Sequence, residues 1–268
     1  MEKNEKRELF IINGRTFTVY KYARLDSTNT FLRQRCMELE EYSVVWAEEQ
    51  TKGRGRFDRV WYSSPGKDLT ISILLPLDPQ VVKYRQNITQ ITALAVARLL
   101  EHYGLKPDLK WPNDVLVNNG KICGILCEIV ETGEKTYAVL GIGLNVNSTY
   151  STSPYYDSFI TSIQKELRSA VNRREVLQRL LTLICRSFDE LGRTGFSQSR
   201  KEIKKRLLFV RDRIVIRDGT KNSHSGKILD LNHDGSLLFQ CEECNIININ
   251  SGEITFRINS VNDRFHDQ

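Results

Sequence analysis

The chain has 268 residues, 40% hydrophobic and 27% charged, with a formal net charge of +6 at pH 7. That size suits one large domain, or a large one with a small one, and the composition is ordinary for a soluble globular protein. Nothing approaches the run of about 18 apolar residues that a membrane-spanning helix needs, and the opening MEKNEKRELF has no apolar core of signal-peptide length, so a cytoplasmic protein is expected.

Residues 8–25 are rich in Ile, Phe, Thr and Tyr around Asn13-Gly14 and read as short strands. The stretch DSTNTFLRQRCMELEE opens with Asp26, Ser27 and Thr28 as cap candidates, and Phe31, Leu32, Cys36 and Leu39 follow at helical spacing. Strands are expected over 43–50 and 68–76, the second stopped by Pro76. Residues 87–104 form the clearest helix, with Ile88, Ile91, Ala95, Leu99 and Leu100 on one face and Gly104 at its end. Asn119-Gly120 lies between two β-like runs and predicts a hairpin. A strand over 135–147, a polar loop over 148–158, a second amphipathic helix over 174–192 closed by Gly192, and a basic helix or linker over 200–208 follow. From Phe209 the pattern becomes short strands with turns at Asp218-Gly219, Asp234-Gly235 and Ser251-Gly252, which predicts a small all-β barrel. The expected organisation is an α+β fold: a mixed central sheet with flanking helices over 1–205, and the barrel over 206–268.

Four stretches could carry chemistry. In TKGRGRFDRVW (51–61), Gly53 and Gly55 let backbone amides approach a ligand, while Arg54, Arg56 and Arg59 offer fork-shaped donors for phosphate or carboxylate. This is not a P-loop, because no G-x4-G-K-[ST] is present, and a solvated basic loop is the plain alternative. In KWPNDVLV, Lys110, Trp111, Pro112, Asn113 and Asp114 put a carboxylate at a turn, where it holds Mg²⁺, orients an attacking group, or only makes the turn. Lys121 follows a turn and precedes the strand glycine Gly124; such a lysine either neutralises developing charge or is merely solvated. In GIGLNVN, Gly141, Gly143, Asn145 and Asn147 leave one strand face nearly bare, fit for a flat ring or for a bulged core strand. The lone Cys241–Cys244 C-x-x-C lacks the second ligand pair of a zinc site, and the four histidines lie near no glycine-rich or acidic motif.

In order, GRGRFDRVW, KWPNDVLV, KICGILCE and GIGLNVN resemble the biotin protein ligase family, as do DSTNT (26–30) and FITSI (159–163). The resemblance spans about residues 20–260. It implies a class II synthetase-like fold and a two-step reaction. Biotin and Mg-ATP give biotinyl-5′-adenylate and pyrophosphate; a lysine of a biotin carboxyl carrier domain then attacks the mixed anhydride. By the resemblance Ser27, Thr28, Asn29, Gln50, Gly53 and Gly124 meet biotin. Arg54 and Arg56 meet both biotin and the adenylate. Arg59, Trp61, Asn113, Gly141, Gly143 and Asn145 bind ATP and adenylate. Lys121 contacts both ligands and acts catalytically with Asp114 and Arg56, Asp114 also being the metal candidate. Asp58 stands where many members carry glycine or asparagine; beside three arginines it is expected to pair with one and weaken the loop's hold on the adenylate. Some members carry an N-terminal helix-turn-helix repressor domain. The 26 residues before Ser27 read as strands and are too short for one, so a short form without specific nucleic-acid binding is expected. Members are often dimeric, which allows a homodimer. The rival readings are a lipoate or octanoate ligase, whose R-R-x-x-G-G-G motif is absent, a biotin-responsive regulator, and a nucleotide-binding module without catalysis.

Overall fold

The computed structural model describes residues 6–133, 135–150, 152–153, 156–210, 212–218 and 222–257. Strands β1 (Lys6–Ile12) and β2 (Arg15–Tyr22) pair as a hairpin through Asn13 and Gly14, both at positive φ, the backbone form that suits the twist of a two-residue turn. Helix α1 (Thr28–Gln34) is capped by Ser27, whose side chain accepts from Thr30 N. It stops well short of Leu39, yet Phe31, Leu32, Cys36 and Leu39 all reach one apolar cluster. The spacing therefore marked a buried face, only part of which is helical.

Next come β3 (Ser43–Ala47), β4 (Leu69–Pro76), the single-turn α2 (Pro79–Val82) and α3 (Ile88–His102). Strands β5 (Pro107–Lys110), β6 (Asp114–Val117), β7 (Gly120–Thr132) and β8 (Lys135–Leu144) follow. The expected hairpin between β6 and β7 exists, but its positive-φ pair is Asn118 and Asn119, one residue earlier than Asn119-Gly120. Gly120 instead opens β7, where a Cβ would stand 2.9 Å from Phe159 Cδ1 and 2.9 Å from Thr161 Cβ. The stretch read as a loop carries a short antiparallel pair, β9 (Thr152–Ser153) and β10 (Tyr156–Phe159). After α4 (Ile163–Leu167), α5 (Arg173–Thr194) runs through Gly192 and ends at Gly195, which sits at φ 69. The basic segment is a helix, α6 (Ser197–Arg206).

Strands β1–β8 form one mixed sheet in the order β1-β2-β3-β4-β8-β7-β6-β5, with β2 and β3 its parallel pair. Its strands are buried on both faces. Val44 and Trp46 of β3 join the large core under α3 and α5, while Val45 and Ala47 join the smaller one under α1. Helix α3 packs on β5, β6 and β7 and is itself covered by α5 and α6. Arg98, half-buried, ties these helices together by contacts with Glu190 and Glu202.

The C-terminal strands β11 (Arg213–Asp218), β12 (Ser223–Leu231), β13 (Leu237–Cys241), β14 (Ile246–Ile249) and β15 (Gly252–Arg257) make an antiparallel sheet in the order β14-β13-β12-β11-β15. Among the described residues β14 and β15 do not pair, so the sheet stays open where a barrel was expected. Strand β15 crosses to β11 instead and lies over the end of the large sheet, where it meets the 51–61 loop.

Candidate active site

A cavity of about 550 Å³ opens where α1, the 51–61 loop, the β5–β6 turn, the glycine face of β7 and β8, and β15 converge. That volume suits a ligand of drug or nucleotide size. Of the residues singled out from the sequence, Ser27, Thr28, Asn29, Gln50, Arg54, Arg56, Arg59, Trp61, Asn113, Asp114, Lys121, Gly124, Gly141 and Gly143 all line it. Gly53 and Asn145 do not.

At one end, the start of α1 is locked to the sheet. Gln50 Oε1 accepts from Thr28 N at 2.7 Å and from Thr28 Oγ1 at 3.0 Å. Asn29 Nδ2 donates to Leu126 O and to Glu128 Oε2, and Ser72 Oγ lies 2.5 Å from Asn29 Oδ1. Gly141 makes room for this side chain, since a Cβ there would overlap the Asn29 amide. Part of the bare face of β8 is thus filled by the protein itself.

The basic loop is a tight hairpin. Trp61 N donates to Gly53 O at 2.9 Å and Gly55 N donates to Arg59 O at 2.7 Å, with Arg54 bridged to Val60 between them. Gly53 serves this closure: a Cβ would stand 2.9 Å from Gln50 Nε2 and closer still to Trp61 O. The tip, Arg56–Asp58, carries Phe57 at φ 54. The side chain of Asp58 lies outside those described, so its expected pairing with an arginine is not addressed. The arginines have distinct seats. Arg54 bonds Glu128 at 3.3 Å, Arg59 pairs with Glu253, and Arg56 donates to Asn113 Oδ1 at 3.3 Å and to Gly252 O at 3.1 Å. The loop returns at Trp61, whose indole lies on the opposed glycines Gly124 and Gly143. A Cβ on Gly143 would stand 2.5 Å from Trp61 Nε1, and one on Gly124 would stand 2.8 Å from Cζ3. The flat ring expected on this platform is therefore, here, the chain's own.

Lys121 Nζ stands 2.8 Å from Asp114 Oδ1, at an angle that completes no hydrogen bond, and 5.5 Å from the centre of the Trp61 ring. A bulge between Val115 and Leu116 shifts the β6–β7 register and brings the two charges to one face. Asn145, buried, supports this lysine from behind: its Nδ2 donates to Lys121 O at 3.3 Å and to Thr161 O at 3.0 Å. It is a brace for the backbone at Lys121, not part of the cavity wall expected of it. Burial lowers the affinity of Arg56 for its proton, and burial does the same to Lys110, against the pull of Asp114 and Glu253. Both are cations held where charge is costly, which favours binding of an anion beside them.

The residues present do not form a protein-held magnesium site. Among the described residues no three His, Cys, Asp or Glu side chains cluster, and Asp114 is already opposed by Lys121. Cys241 and Cys244 are free thiols. Four lining residues carry no motif signal: Phe159, Arg217, Glu253 and Ile254. The last three come from β11 and β15, about 190 positions from the loop they face, and only the tertiary fold reveals them.

Fold and site together define a mixed α/β protein whose cavity binds a bulky anion with fixed cations and a glycine platform. The sequence profile of the biotin/lipoate A/B protein ligase family matches residues 22–145. A biotin–[acetyl-CoA-carboxylase] ligase of Paracoccus denitrificans is 30% identical over 227 residues, covering 81% of this chain and 92% of that protein. The bifunctional ligase/repressor BirA of Bacillus subtilis is 31% identical over 206 residues, 76% of this chain; the match spans 63% of that protein's length. Among solved structures, biotin protein ligase from Aquifex aeolicus in complex with biotin and ATP aligns with a TM-score of 0.77 at 27% identity, over 90% of this chain and 99% of that one. The chain belongs to the biotin/lipoate A/B protein ligase family.

Proposed function

We propose that the chain is an ATP-dependent biotin ligase that makes biotinyl-5′-adenylate and transfers the biotinyl group to a lysine of a biotin carboxyl carrier domain. The observation that carries this reading is the convergence of Arg56, Lys110 and Lys121 on one cavity that also takes in the buried start of α1. Both steps move negative charge through carboxyl and phosphate oxygens, and fixed donors stabilise such charge best where water is excluded.

In the first step a biotin carboxylate oxygen attacks the α-phosphorus of ATP. The bond to the β-phosphate breaks and pyrophosphate leaves with its electron pair. Ser27, Thr28, Asn29 and Gln50 seat the biotin, with Gly124 giving access to the platform. Arg54 and Arg56 hold the carboxyl and phosphate oxygens, while Arg59, Trp61 and Asn113 hold the nucleotide. Lys121 stabilises the charge developing between the two reactants, and Asp114 orients it. In the second step the acceptor lysine amine attacks the acyl carbon and AMP departs, neutralised by Lys121 and Arg56. Magnesium enters with the nucleotide as its counter-ion, and Asp114 is the residue closest to serving it. Residues 1–205 act as the catalytic part in this reading and 206–268 as a cover. The carrier partner, cytoplasmic location and a homodimer belong to the same proposal, and DNA is bound only weakly and without sequence preference.

The test is biotin-dependent ATP–pyrophosphate exchange followed by labelling of a carrier domain by the purified protein. Exchange that needs lipoate or octanoate in place of biotin would assign the chain to the other branch of its family. Nucleotide binding without exchange would leave a binding module.

A further inference from the structure

We propose that Arg217 is a further substrate-binding residue, holding the β- and γ-phosphates of the nucleotide and the pyrophosphate that departs; this rests on the adenylation reading above. Arg217 belongs to no motif. It comes from β11 of the C-terminal sheet, yet it lines the same cavity as Lys121. Its side chain is exposed, so it costs little to keep charged and ready for a ligand. It stands in register with Glu253 across the β11–β15 pair, and the Glu253 carboxylate is taken by Arg59. The other cations of the wall are committed. Arg54, Arg59 and Lys121 face Glu128, Glu253 and Asp114, and Arg56 is spent on an amide oxygen and a backbone carbonyl. Arg217 makes no ion pair among the described residues, nor does the buried Lys110.

The direction of the reaction says which part of the nucleotide reaches it. Asn29, at the biotin end, meets β7 at Leu126 and Glu128. The β11–β15 wall is reached the other way, through Arg56 beside Asn113 and through Arg59. Lys121 and Asp114 lie between these ends. Attack on the α-phosphorus is in line with the bond that breaks, so the leaving group departs on the side opposite the attacking carboxylate. That side is the β11–β15 wall. The carboxylate and ATP enter with most of their charge on the triphosphate, the adenylate keeps one negative charge, and pyrophosphate takes the rest. With no carboxylate cluster among the described residues to fix a metal there, a guanidinium able to fork two phosphate oxygens is the group that end requires.

The experiment compares wild type, Arg217→Ala and Arg217→Lys in biotin-dependent ATP–pyrophosphate exchange, with biotin affinity and the melting temperature measured alongside. Arg217→Ala is expected to raise both the KM for ATP and the pyrophosphate concentration for half-inhibition about tenfold, equivalent to about 1.4 kcal/mol of lost binding. Arg217→Lys should recover part of each, and biotin affinity should stay within about twofold. Unchanged values for ATP and pyrophosphate would overturn the proposal. So would a defect confined to transfer from chemically made biotinyl-adenylate, which would assign Arg217 to the acceptor protein instead. An equal loss of biotin binding, or a collapsed melting temperature shared by Arg217→Lys, would make the residue structural. A wild-type protein inert toward biotin and ATP would instead refute the parent reading.

Discussion

Replacing Gly143 with alanine tests the idea that Trp61 seated on the glycine platform is what shapes the cavity. The added methyl would stand 2.5 Å from Trp61 Nε1 and nearer to two ring carbons, against the roughly 3.5 Å at which such atoms rest. The indole must therefore lift by about 1 Å. It can do so, because Trp61 closes a hairpin whose other side is largely exposed, so the fold should lose no more than about 1–2 kcal/mol, below the range for a buried cavity. Chemistry is less forgiving: a misplacement of that size costs on the order of 10²-fold in rate when reacting groups must be aligned. We expect Gly143→Ala to lower kcat/KM for biotin-dependent pyrophosphate exchange about 10²-fold while thermal unfolding shifts by a few degrees. The decisive measurement is a double-mutant cycle with Trp61→Ala. If the methyl acts by displacing the indole, Gly143→Ala adds little once the ring is gone. An undiminished effect in the Trp61→Ala background would refute the reasoning, because the glycine would then face the ligand directly.

Lys121→Ala should reduce adenylation by about 10²-fold or more while nucleotide binding, followed by fluorescence, changes far less; a near-normal rate removes the lysine from the mechanism. Asn145→Ala leaves the carbonyls of Lys121 and Thr161 without their donor in a buried place, and should destabilise the fold by about 1–3 kcal/mol in urea titration. Lys110 is held below the ordinary lysine value of 10.5 by burial, so the KM for ATP should rise with pH at a lower pH than for a free lysine, and Lys110→Met should abolish that inflection. The sign for stability is the reverse. The unfolded chain holds this proton more tightly, so wild type gains stability relative to Lys110→Met as pH rises through the window below 10.5.

Much of the site was legible because it is built from backbone-specific residues at short range. Gly53, Gly55 and Trp61 of one hairpin, and Asp114 and Lys121 of two neighbouring strands, are close in sequence and chemically distinctive. Helix α3 was readable because one periodic run fills the core, its end fixed by Gly104. What stayed hidden depended on distant parts of the chain. The apolar spacing of Phe31 to Leu39 reports burial, and only packing decides where the helix stops. Asn-Asn took the turn from Asn-Gly because Gly120 was needed against Phe159 and Thr161, some 40 residues on. Asn145 looks like a ligand residue until the carbonyls it braces are known. Nothing local to RIVIRDG marks Arg217 as a wall of this cavity.

The clasp of Arg56 on Gly252 O and Arg59 on Glu253 spans 196 and 194 positions of the chain. Its consequence is one of timing. During synthesis the arginines emerge early, but the oxygens that seat two of them are among the later parts to be made. No fragment ending before residue 252 can hold the 51–61 hairpin in the form seen here, however well its eight-stranded sheet has folded. Competence thus arrives after the main core is built, as a last act of assembly.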